Sequence, residues 1–195
     1  MPTVAILPVK SFRLGKGRMA DRLSDEARYV LGRALAERTA ALAVDAGLIP
    51  VLVAGDGEVA EWALLHGFPS IPDPGEGLDG AALAGAGWAT EAASDWIVLH
   101  TDLPLLTVFE LENLSRALSV AGTVIAPSAD GGTSALGASG PADFSYGPGS
   151  FHRHLGRFPA ASIIATPGLL HDIDTFADLE SARRHPLGAW LADLT

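Results

Sequence analysis

Ile97-Val98-Leu99-His100-Thr101-Asp102-Leu103-Pro104-Leu105-Leu106 is the stretch on which the fold reading turns. Its first three residues are a short apolar run of the kind buried on both faces of a parallel sheet. Polarity changes abruptly after Leu99, so Asp102 falls where such a strand would emerge. Pro104 stops the ladder, and Thr107 with Glu110 three residues on forms a capping box that opens a helix. Open α/β sheets bind their ligands beyond the carboxyl ends of the strands, which is where this order of strand, acid, turn and helix puts Asp102. Asp102 is the first candidate functional residue; the simpler alternative is an Asp that only satisfies turn amides.

Working outward, the same alternation recurs. Thr3 to Val9 reads as the first buried strand, followed by a loop from Lys10 to Leu23 rich in glycine and cations. Ser24 caps a helix with Asp25 and Glu26 well placed in its first turn. A strand at 48–54, a short helix at 58–66, a weak strand at 68–71 and an Ala/Gly-rich helix at 79–93 lead up to the central stretch. Beyond it come a helix at 107–119 and a strand at 123–126, then a late strand at 162–165 and a helix capped by Thr175 and Asp178. Alternating buried strands and helices predict an α/β fold, a parallel sheet covered on both faces. Residues 128–151 break the pattern. They are rich in glycine and poor in aliphatics, and read as a long loop or hairpin inserted in one domain spanning 1–195.

Composition narrows the function. The 195 residues, 48% hydrophobic and 18% charged, suit one globular domain with a sizeable core. No apolar run approaches the roughly 18 residues a membrane span needs, so no membrane partner is expected. The cations after the first apolar stretch reverse the order of a secretory signal. The absence of cysteine excludes disulfides, thiolate metal sites and thiol nucleophiles. A cytoplasmic location follows as the default. A net charge of -10 argues against nucleic acid. The charge is uneven, however, because eight of the thirteen Lys and Arg lie in the first 38 residues. A basic front on an acidic chain suits a small polyanion such as a nucleoside triphosphate; for Arg28, Arg33 and Arg38 the wet face of a helix explains them as well.

Three features carry chemistry. In extended Asp172-Ile173-Asp174 both carboxylates point to one side while Ile173 points into the core. With Asp102 they make three hard oxygen ligands, the kind Mg²⁺ takes beside phosphate oxygens. Asp174 is equally readable as part of the cap at Thr175, and His100 and His171 are weaker candidates because Mg²⁺ prefers oxygen. The loop from Leu7-Pro8-Val9-Lys10 to Lys16-Gly17-Arg18 is the phosphate candidate, although it is neither a P-loop nor a dinucleotide fingerprint. Asp130 to Leu136 and Tyr146 to Phe151 combine glycines with Thr and Ser, so that amides and hydroxyls can face a ligand. Ser150 reads as the N-cap of a helix through His154. No His and Asp are placed to make Ser150 a nucleophile.

Together, LPVK (7–10), KGRMADRLS (16–24), DPGEGLDGA (73–81), TDLPLL (101–106), PSADGGTSAL (127–136), YGPGSFHRH (146–154) and GLLHDIDTFADL (168–179) resemble the CofC/FbiD-type guanylyltransferases of coenzyme F420 biosynthesis. The stretches stand in family order over nearly the whole chain. The resemblance implies a Rossmann-like nucleotidyltransferase (GT-A-like) fold with a mostly parallel sheet and a Gly-rich acceptor loop. It implies transfer of GMP from GTP to phosphoenolpyruvate or 2-phospho-L-lactate, with transient contact to the next enzyme of the pathway. Asp102, Asp172 and Asp174 would hold Mg²⁺, as two ions. Thr133, Gly147 and Ser150 would hold the acceptor. Lys10, Lys16 and Arg18 would meet the triphosphate after Leu7 and Pro8, with Lys16, Arg18 and Asp102 acting in catalysis. The loop from Asp73 to Asp79 would lie near the guanosine. Two positions depart from the pattern, Asp79 and Ser134, where Asn is expected. They put base preference and closure of the acceptor loop in question. A different nucleotide or acceptor, or a silent binding homologue, are the rival readings.

Overall fold

The computed structural model describes residues 1–13 and 15–194. Among them the strands are β1 (Thr3–Val9), β2 (Ile49–Ala54), β3 (Ser70–Pro72), β4 (Asp95–Leu99), β5 (Thr123–Pro127), β6 (Thr133–Ala138) and β7 (Ser162–Ile163). The helices are α1 (Asp25–Asp45), α2 (Gly57–Leu65), α3 (Gly77–Glu91), α4 (Val108–Ala121), α5 (Ser150–Arg157), α6 (Pro167–Leu170) and α7 (Phe176–Arg184). The strands join one sheet in the order β3-β2-β1-β4-β6-β5-β7. All pairings are parallel except the two made by β6.

Both faces of the sheet are covered because its inner strands carry buried apolar residues pointing to both sides. Along β1, Ala5, Leu7 and Val9 join the core shared with α1, α2 and α4. Val4 and Ile6 point the other way, into the core shared with α3 and with Phe151 and Leu155 of α5. This is the period of two expected of a doubly covered strand. The small residues of α3 let it sit close: a Cβ on Gly85 would stand 2.3 Å from Ile6 Cγ2. The capping boxes expected at Thr107 and Thr175 are present, as is the Ser24 cap.

The stretch read as a loop or hairpin, 128–151, turns back as a hairpin on β5, and its strand β6 is a fully buried interior strand of the sheet. The loop alternative fails over β6 because its glycine is a packing requirement: a Cβ on Gly137 would meet Ile97 Cγ1 at 2.9 Å and Val124 Cγ1 at 3.0 Å. The strand also positions the site. Running antiparallel to β4, it starts where β4 ends, with Leu99 opposite Ala135 and the His100 amide donating to Ser134 O at 3.0 Å. Thr133 is thereby placed beside the 100–102 turn.

A third core lies beyond the carboxyl ends of the strands. Met19, Leu31, Leu35, Leu105, Ile173 and Leu179 pack together there, all buried. Met19 anchors the cationic loop and Ile173 anchors the second acidic segment, so this cluster fixes both relative to the Asp102 turn. The Ile173 amide also donates to Asp102 O at 3.0 Å. No helix among the described residues is long and apolar enough to cross a membrane.

Candidate active site

Two adjoining clefts open at the carboxyl ends of β1 and β4. The first, about 390 Å³, is lined by the 100–102 turn, the 128–133 turn, Tyr146 to Pro148, Ser150, Asp172 and Asp174. The second, about 350 Å³, is lined by Lys10, Lys16, Gly17 and Arg18 of the early loop. Pro8, Arg18, Thr101, Asp102 and Asp174 belong to both walls. Of the three predicted carboxylates, two therefore stand on the boundary and the third faces the first cleft. Ile173 between them is 0% exposed, as the extended reading requires.

Electrostatics explains how three acids tolerate one another. Lys16 adopts a left-handed backbone, φ 56°, uncommon for a residue with a side chain. Its ammonium donates to Asp102 Oδ2 at 2.9 Å and to Ile173 O at 2.5 Å, tying the cationic loop to both acidic segments. Arg18 reaches Asp174 Oδ2 at 3.0 Å. Burial alone would raise the Asp102 carboxyl; the Lys16 ammonium overrides it, helped by His100, and holds it below the usual range. Among the described residues Asp172 has no such cationic partner. Burial, then the nearby Asp102 and Asp174 charges, push it up to about 6. Burial also lowers the His100 imidazole.

Among the described residues no three His, Asp or Glu side chains form a ready-made metal cage. The donor set nonetheless fits a hard divalent cation. Asp102 Oδ1 is buried without a hydrogen-bond partner among the described residues, and Asp172 faces the same cleft. If such an ion binds here, Asp102, Asp172 and Asp174 are the side chains that would hold it.

The glycine-rich wall is built by a separate network. Gly147 and Gly149 take φ of 100° and 70°, turns that only glycine adopts readily. The Arg153 guanidinium laces the loop from below, donating to the carbonyls of Ser145, Tyr146 and Pro148. Thr133 and Ser150 are each 1% exposed and share a hydroxyl contact of 3.1 Å. Ser150 is the first residue of α5 rather than its cap; Gly149 takes the cap position without a side-chain bond. Asp130 is locked in its turn, accepting from Ser128 Oγ and the Gly132 amide, which hold its carboxyl below the usual range.

Three predicted residues do not reach either cleft. Leu7 is 1% exposed inside β1. Asp73 accepts from the Gly75 amide at 2.8 Å, capping its own turn. Asp79 accepts from the Tyr146 amide at 2.6 Å, so this departure braces the acceptor loop. The other departure, Ser134, is 0% exposed and bonds the carbonyls of Ala126 and Pro127 across to β5. It lines neither cleft, so its shortness does not bear on loop closure. The sequence reading quoted the stretch holding Tyr146, Arg153 and His154 but gave none of the three a role in the site. Their only signal was their place in the glycine-rich stretch, since an aromatic ring and a backbone-bonding Arg have no spacing signature.

This geometry has relatives. Residues 3–165 match the family model described as "Guanylyl transferase CofC like". The phosphoenolpyruvate guanylyltransferase of Sphaerobacter thermophilus is 34% identical, covering 97% of each chain. That of Chloroflexus aurantiacus is 36% identical over 87% of this chain and 88% of its own. Among solved structures, a candidate nucleotide-diphospho-sugar transferase from Desulfovibrio desulfuricans superposes with a TM-score of 0.77 at 17% identity, covering 98% of this chain and 94% of its own. A nucleotidyl transferase from Methanothermobacter gives 0.61 at 16%, covering 94% and 97%. At such identities these two establish the fold alone; the family match covers the early loop, the 100–102 turn and the glycine-rich wall and ends before Asp172 and Asp174. The chain is a member of the CofC-like guanylyl transferase family.

Proposed function

We propose that the protein transfers GMP from GTP to the phosphate of phosphoenolpyruvate or 2-phospho-L-lactate, releasing pyrophosphate, in the formation of coenzyme F420. The observation that carries this reading is the shared wall. A cation-lined cleft and a hydroxyl-lined cleft meet at Asp102 and Asp174, as a transferase needs if a charged donor and a charged acceptor are to meet.

An oxygen of the acceptor phosphate attacks the α-phosphorus of GTP as the bond to the bridging α–β oxygen breaks. The nucleophile is already an anion at neutral pH, so no general base is required. The chain accordingly has to position two polyanions and offset their repulsion. Lys10, Lys16 and Arg18 neutralise the triphosphate, with Pro8 at the floor. Lys16 is held in reserve on Asp102 and turns to phosphate when GTP enters. Thr133, Ser150 and the Gly147 backbone hold the acceptor. Asp102, Asp172 and Asp174 would hold two Mg²⁺ ions, which when bound supply charge neutralisation at the reacting phosphates. Asp79 acts on the acceptor loop through Tyr146 rather than on the base.

The test is incubation with Mg²⁺ and each of the four nucleoside triphosphates, paired in turn with phosphoenolpyruvate, 2-phospho-L-lactate and 3-phosphoglycerate. Pyrophosphate and a guanylylated adduct by mass are expected with GTP and one of the first two acids. Turnover with another pair, or with none, would overturn the proposal.

A further inference from the structure

His154 lies on α5, 0% exposed, behind the wall that faces the acceptor. The amide of Ser145 donates to its Nε2 at 3.0 Å. An amide N–H cannot accept, so Nε2 carries the lone pair and the neutral ring keeps its proton on Nδ1. Nδ1 stands 2.9 Å from Thr133 Oγ1, and Ser150 Oγ stands 3.1 Å from that same oxygen.

Counting hydrogens decides what this arrangement presents to a ligand. Nδ1, Thr133 and Ser150 bring three polar hydrogens, and the two contacts among them consume two. One hydroxyl hydrogen is left over, on Thr133 or on Ser150, and both residues line the first cleft. With the proton on Nε2 instead, Thr133 would have to donate to the ring and Ser150 to Thr133. No hydrogen would remain, and the cleft would turn only hydroxyl lone pairs toward an anion. The Ser145 amide forbids that state. Burial, with the Arg157 charge adding to it, holds the ring near 4, so it stays neutral at neutral pH.

We infer that His154 is a positioning residue for the acceptor: through Nδ1–H it fixes the Thr133–Ser150 pair so that one hydroxyl donor faces the anionic end of the phospho-acid. The inference rests on the acceptor reading of this cleft. The same ring bonds the Ser145 amide, so it also ties the loop carrying Gly147 to the hydroxyl pair.

Two substitutions separate this role from plain packing. His154→Asn keeps an N–H at the position of Nδ1, whereas His154→Gln can reach only the Ser145 side. Steady-state kinetics should show the KM for phosphoenolpyruvate raised about tenfold or more in H154Q, the loss of one hydrogen bond to a charged group. H154N should stay within about threefold of the wild type, and the KM for GTP should be unmoved in both. Equal changes in the two variants, in step with their melting temperatures, would overturn the inference. The ring tautomer in the wild type is read independently by long-range ¹H–¹⁵N NMR. An Nδ1–H pattern supports the inference and an Nε2–H pattern overturns it, whatever the variants do. A Thr133→Val variant with unchanged acceptor KM would instead remove the acceptor reading itself, and so is distinguishable from a failure of His154 alone.

Discussion

Glu110→Gln is a small change with a large expected effect. Glu110 is 5% exposed at the start of α4, and its carboxylate accepts four bonds. Oε2 takes the Thr107 amide at 2.8 Å and the Thr107 hydroxyl at 2.9 Å. Oε1 takes the Thr166 hydroxyl at 2.7 Å and the Gly168 amide at 2.9 Å. The clamp thus fastens the capping box of α4 to the segment that runs on to Asp172. Glutamine offers one oxygen and one NH₂ group. Whichever way it turns, the NH₂ faces a backbone N–H, because both ends carry one. A hydroxyl can rotate to accept, but an amide cannot. One buried donor is left unpaired at about 1–3 kcal/mol, and the remaining bonds lose their charge assistance. A total near 3 kcal/mol should lower the melting temperature by roughly 6–12 °C for a chain of this size. The measurement is thermal unfolding by circular dichroism with Glu110→Asn and wild type alongside. An unchanged midpoint for E110Q would refute the clamp and with it the account of how the Asp172–Asp174 segment is held.

Other consequences are as definite. Gly55→Ala should cost at least about 2 kcal/mol in a urea titration, because the new Cβ would stand 2.0 Å from the Lys10 carbonyl oxygen, backbone that has no rotamer to yield. Asp79→Ala should leave the urea midpoint nearly unchanged while raising the acceptor KM several-fold, since it removes the brace on the Tyr146 amide at the protein surface. Acid should destabilise the fold through His154. Its folded value near 4 lies below the ordinary 6.5, so the unfolded chain binds the extra proton between those limits. The stability this ring contributes is complete above about pH 6.5 and is lost as pH falls toward 4, up to about 3 kcal/mol. H154N should therefore lose less stability than the wild type between pH 7 and pH 4.5.

Much of this was legible in the chain itself. Ile97 to Asp102 announces a buried strand and its emergence, and Thr107 with Glu110 announces the helix after it. Both are local signals, because hydrophobic period and capping act within a few residues. The face shared by Asp172 and Asp174 was likewise readable, since a strand puts alternate residues on one side. Strand β6 was not. Its Gly137 is small because neighbouring strands crowd it, and crowding by Ile97 and Val124 is a fact of three dimensions. The bond that Asp79 makes was hidden for a similar reason. Nothing in its own segment tells that the Tyr146 amide, far along the chain, will use its carboxylate. His154 was visible only as a helix residue, because a tautomer is set by partners from two other segments.

Everything about the chemistry returns to the boundary between the clefts. The measurement that bears on it most directly is pyrophosphate release from GTP and phosphoenolpyruvate by Asp102→Ala, beside the unfolding midpoint of the same variant. Turnover should fall by about a hundredfold or more, as when a group that stabilises developing charge is removed, while the midpoint shifts by only a few degrees. Turnover within about threefold of the wild type would contradict the assignment of the carboxylates, since a loss of that size is less than about 1 kcal/mol in barrier height.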